Sequence, residues 1–77
     1  MPYDVGGWRS EEVVAEAQIG QRYKRLDAQW MVWEVVAVRS DLEGVRHCRI
    51  AEVNNRSNEK LISEKTLTNR KFYLLVS

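Results

Sequence analysis

Seventy-seven residues hold one domain at most, and a core of that size supplies only about 3–5 kcal/mol of net stability. With 44% hydrophobic and 30% charged residues the chain has a globular composition, not that of a disordered tail. A single Cys excludes a disulfide framework and a Cys-rich zinc site, and no apolar run approaches the roughly 18–20 residues of a membrane span.

The first seven residues, Met1-Pro2-Tyr3-Asp4-Val5-Gly6-Gly7, lack the basic-then-apolar pattern of a signal peptide, so a cytoplasmic protein is expected. Charge is unevenly spread. Residues 1–19 carry Arg9 against Asp4, Glu11, Glu12 and Glu16, a net of −3. Residues 20–77 carry eleven Lys or Arg against seven Asp or Glu, a net of +4. A basic body offers a mild attractive field to phosphates, although charge of that size is also ordinary surface kept for solubility.

A short helix is expected over residues 10–19. Ser10 is a suitable cap, Glu11 and Glu12 suit the positive end of the helix dipole, and Val13, Val14 and Ala17 share one side. Gly20 follows as a helix-terminating residue. A helix this short must dock on something to persist. Residues 1–19 therefore read as an arm packed on a body of residues 20–77.

The body reads as β. Strands are expected at Arg22–Leu26, at Trp30–Arg39, at Val45–Val53, at Lys60–Ser63 and at Phe72–Val76. Asp27-Ala28-Gln29 is a turn, and Ser40 to Gly44 is a loop ending in glycine. Asn54-Asn55-Arg56-Ser57-Asn58 is a dense turn signal. Glu64–Asn69 reads as a helical turn with Leu67 pointing inward.

Five short strands with one helical turn before the last form a small barrel. Around the strand Trp33-Glu34-Val35-Val36, the Asn-rich turn at 54–58 and the Leu67 turn leading to Phe72, the chain resembles the SH3-like barrels of Tudor, KOW and related modules. That resemblance spans residues 20–77 and implies a mainly β fold and a habit of binding. The type II dihydrofolate reductases are similar in length and belong to that fold class. The Val-Gln-Ile-Tyr run of their pore has no counterpart in Lys60-Leu61-Ile62-Ser63 or Lys71-Phe72-Tyr73-Leu74.

Alternation exposes a conflict in the long second strand. Met31, Trp33, Val35 and Ala37 form one face; Trp30, Val32, Glu34, Val36 and Val38 form the other. Both are apolar apart from Glu34, and a small barrel has one interior. Three solutions are open: the N-terminal helix covers the second face, a second copy of the chain covers it, or a bulge bends the strand.

No catalytic constellation emerges. His47 and Cys48 are neighbours on a strand and point to opposite faces, so they form no dyad with each other. No metal-ligand cluster and no phosphate-cradling glycine motif occur, and no cofactor is expected. Asn55-Arg56-Ser57 matches the glycosylation pattern but reads as a turn. The first functional expectation is a non-enzymatic binding or accessory module. It contacts a protein partner or itself through an apolar outer face anchored by Trp30, Val32 and Tyr73. The second is a weak nucleic-acid binder using Tyr23 with Arg22, Lys24, Arg46 and Arg49, rings for stacking and cations for phosphates.

Overall fold

The structure, a computed structural model, describes residues 16–77. Five strands form one antiparallel sheet: β1 (Arg22–Arg25), β2 (Ala28–Ser40), β3 (Arg46–Glu52), β4 (Asn55–Ser63) and β5 (Tyr73–Leu75). A single helical turn, α1 (Glu64–Leu67), precedes β5. The order across the sheet is β4-β3-β2-β1-β5. The expected strands and helical turn are all present. Closure is not: β4 and β5 are the two edges and do not pair, so the sheet is open rather than a completed barrel.

A bulge settles the conflict in the second half of β2. Val35 pairs with Ile50, and Ala37 pairs with Arg49, so Val36 has no partner across the ladder. One extra residue reverses the facing of everything beyond it. Met31, Trp33 and Val35 face the core before the bulge, and Val38 faces it after. Ala37 and Arg39 are turned outward. The core gathers Tyr23, Trp33, Val35, Cys48, Ile50, Leu67 and Tyr73, with Met31, Val38 and Ile62 packed against them.

Ala17 also belongs to this core. The last residues of the helix expected over 10–19 are not helical. Residues 10–15 lie outside the described residues, residues 16–18 are irregular, and residues 19–20 form a turn. The Gln21 amide donates to the Gln18 carbonyl at 3.1 Å, and Gly20 takes a φ of +96°, a conformation that favours glycine. Gly20 thus serves a tight turn into β1 instead of a helix end.

A hydrogen-bonded network centred on Glu64 helps pin this turn-in segment. The Ala17 amide donates to Glu64 Oε2 at 2.7 Å, the Arg46 guanidinium donates to the Ala17 carbonyl at 3.3 Å, and Arg46 Nε donates to both Glu64 oxygens at 3.0 Å. Glu64 opens α1, and Ser63 caps it by accepting from the Thr66 amide. Leu67 is fully buried beneath the sheet.

The Asn-rich segment is the main departure in chain order. The turn is confined to Val53-Asn54, and β4 begins at Asn55, which pairs with Glu52. The register then slips, so that Ala51 pairs with Glu59. Turn-forming side chains occupy the slip and satisfy themselves: Ser57 Oγ donates to Asn55 Oδ1, and Asn58 Nδ2 donates to Glu52 Oε1. Such irregularity also blunts an exposed edge strand.

Replacing Leu67 by Ala removes the side chain that closes the core under α1. The expected loss is about 2–5 kcal/mol, read as a lower urea midpoint. In a domain of this size that leaves a largely unfolded population at room temperature.

Candidate functional site

The two faces of the sheet have different characters. The core face is filled. The outer face divides at the bulge into an apolar strip over β5, β1 and β2 and a polar groove over β2, β3 and β4.

The strip begins with Trp30, a residue 76% exposed near the start of β2. Val32 flanks the inward-facing Met31 on its other side and lies opposite Lys24 on β1, which in turn pairs with Leu74 on β5. The β1–β2 register slips between Lys24 and Arg25, which leaves Trp30 outside the paired ladder. Leu74 and Val76 are exposed. Two of the three expected anchors, Trp30 and Val32, therefore share one surface. Tyr73 does not. It pairs with Arg25, faces the interior and is only 5% exposed, so it is a core residue.

The basic-aromatic face is likewise redistributed. Tyr23 is 4% exposed, in the core, and its hydroxyl donates to Gln21 Oε1. Burial raises its pKa above the usual phenol value. Arg46 is engaged by Glu64 and the Ala17 carbonyl, and that hydrogen-bonded ion pair raises its pKa further. Arg22 is bonded to Glu34. Arg49 is exposed, but over β3 on the far side of the bulge from Lys24. The five residues do not converge on one stacking surface, because strand alternation sends Tyr23 to the opposite face from Arg22 and Lys24.

Glu34 is the electrostatic centre of the outer face. It accepts from Arg22 Nε at 3.2 Å and from Arg56 Nη2 at 3.1 Å, bridging β1, β2 and β4 over the small buried Ala51. The hydrogen bond from Arg56, reinforced by both positive charges, holds the Glu34 carboxyl below its ordinary pKa. A second lowered carboxylate, Asp41, organises the β2–β3 loop. Asp41 Oδ1 accepts from the Glu43 and Val45 amides, and Oδ2 meets His47 Nε2 at 3.2 Å. The Val45 amide is the largest cause of its lowering, followed by His47.

The groove has a volume of about 550 Å³ and is lined by Ala37, Arg39, Asp41, His47, Arg49, Glu59 and Leu61 among others. Its floor follows the register: Ala37, Arg49 and Leu61 form one row, and Arg39, His47 and Ser63 the next. Arg39, Asp41, Glu59 and Leu61 were not singled out by the sequence, because their convergence depends on the bulge. Behind the sheet, Lys60 Nζ lies 4.5 Å from the centre of the Trp33 ring, a cation–π contact that seals the core beside the β4 edge. The Trp33 indole N–H is the buried side-chain group left without a hydrogen-bond partner among the described residues.

The Cys48 thiol is buried and its pKa is raised, chiefly by that burial, which suits a packing role over a nucleophilic one. Among the described residues no group of three or more His, Cys, Asp or Glu is placed to hold a metal ion, and no helix is long and apolar enough to cross a membrane. Comparison of the chain with protein-family models, with curated proteins and with solved structures gave no match.

The Glu34 network makes the fold acid-sensitive in a defined direction. Above the ordinary carboxyl value of 4.5 Glu34 is charged in the folded and unfolded chain alike, and its contribution is fully present. As pH falls below that value the unfolded chain takes the proton first, and the contribution is lost as the folded-state pKa is passed. The Glu34→Gln variant should show a flatter stability profile below that pH than the parent, measured by urea unfolding at several pH values. An unchanged profile would place the acid sensitivity elsewhere.

Proposed function

We propose that the protein is a non-enzymatic binding module that associates with a protein partner, a second copy of itself included, through the apolar strip on β5, β1 and β2. Trp30 is the observation that carries this reading. A Trp at 76% exposure in a chain with so little apolar surface to spare is an unfilled hot-spot side chain. Val32 and Leu74 extend the strip, and Lys24 between them favours a partner with an acidic rim. The fold is read as an SH3-like barrel in open form. The strand order and the helical turn between β4 and β5 support that assignment, and modules of that kind commonly bind through exposed sheet and loop surfaces.

Self-association is the form that can be tested with the chain alone. Sedimentation velocity should show a concentration-dependent rise in mass for the parent, and Trp30→Ala should remain monomeric with an unchanged circular dichroism spectrum. An exposed side chain contributes within about 0.5 kcal/mol to the fold itself, so the variant should melt close to the parent. If Trp30→Ala unfolds, Trp30 is a structural residue and the proposal fails.

A further inference from the structure

The groove over β2, β3 and β4 lies outside the strip assigned to protein association, and two of its arginines are free of ion pairs among the described residues. Arg22, Arg25, Arg46 and Arg56 each stand within ion-pair distance of a carboxylate. Arg39 and Arg49 have no such partner among the described residues, and both line the groove. They sit on adjacent strands in neighbouring rows, Arg49 opposite Ala37 and Arg39 opposite His47. Diagonal neighbours of that kind are separated by about 7–8 Å, a span that two guanidinium groups close readily around one anion.

Two carboxylates, Asp41 and Glu59, also line the groove. Asp41 is turned into the loop by two loop amides and by His47. Glu59 lies opposite Ala51, diagonal to Arg49 and two rows from Arg39, and neither carboxylate stands within ion-pair distance of Arg39 or Arg49 among the described residues. Between Arg39 and Glu59, Ala37 leaves space on the floor. Leu61, 70% exposed, offers an apolar wall.

We propose that this groove binds a phosphate monoester of mononucleotide size. The phosphate is held by Arg39 and Arg49, the flat body lies against Ala37 and Leu61, and an amino donor reaches Glu59. A carboxylate is satisfied by one guanidinium fork. The three terminal oxygens of a phosphate monoester can engage two, and its charge of about −1.5 to −2 matches them. The volume of about 550 Å³ falls within the range of small-molecule sites.

The test is a low-salt NMR titration of the full chain with adenosine 5′-monophosphate. Adenosine, inorganic phosphate and a single-stranded oligonucleotide without terminal phosphate are run in parallel. Saturable shifts are expected at His47, Arg49 and Leu61, with none from adenosine and weaker binding of inorganic phosphate. Arg39→Gln and Arg49→Gln should each weaken binding about tenfold, as expected for loss of a charge-assisted hydrogen-bonding group, with unchanged melting temperatures. Trp30→Ala should bind as the parent does, which separates this site from the association strip. The proposal is overturned by the absence of saturable shifts or by binding that survives both Arg substitutions. Equal affinity for inorganic phosphate overturns the mononucleotide-sized site. Tighter binding of the oligonucleotide at the same residues overturns the monoester and makes the groove a nucleic-acid face.

Discussion

The extra residue at Val36 is the constraint from which the rest of the molecule follows. Without it, β2 would keep Met31, Trp33 and Val35 inside and send Val38 to solvent. With it, Val38 joins Cys48 and Ile62 in one layer of the core, while Ala37 and Arg39 move to the outer face. A strand of 13 residues can therefore serve one interior along most of its length although both its faces read as apolar. The same irregularity separates the two outer surfaces. Before the bulge the outward residues are Trp30, Val32 and Glu34; after it they are Ala37 and Arg39.

A second dependence runs through Glu64. One carboxylate receives the Ala17 amide and the Arg46 guanidinium, and so ties the approach to β1, the start of β3 and the start of α1 together. Arg46, Arg22 and Arg56 are held by Glu64 and Glu34, so three of the eleven cations in residues 20–77 are tied to fixed carboxylates.

Much of the architecture was legible because it is local. Trp30–Arg39 is dense in β-branched and aromatic residues, the loop after it ends in a glycine that does adopt positive φ, and the segment at Glu64 contains a cap and an inward Leu67. The facing of side chains was less legible. Alternation alone separates Tyr23 from Arg22 and Lys24, and grouping them overlooked it. The position of the bulge is a different matter: between Trp30 and Val38 only Glu34 is polar, so composition offers no mark for the extra residue. The groove was invisible for the same reason. Its rows join residues 37, 49 and 61, and that register is a property of three strands at once. Nor does any local pattern connect Arg46 with Glu64 or Arg56 with Glu34.

The one sulfhydryl in the chain gives the fold an internal clock. Cys48 sits on β3 between Val38 and Ile62, in the layer where the three strands beyond the bulge meet the core. A reagent reaches its sulfur only when that layer parts. The rate of alkylation therefore counts openings of the β2–β3–β4 unit, while exchange of backbone amides near β5 counts fraying of the opposite edge. Comparing the two clocks separates motions of the groove from motions of the strip, without adding a probe to either.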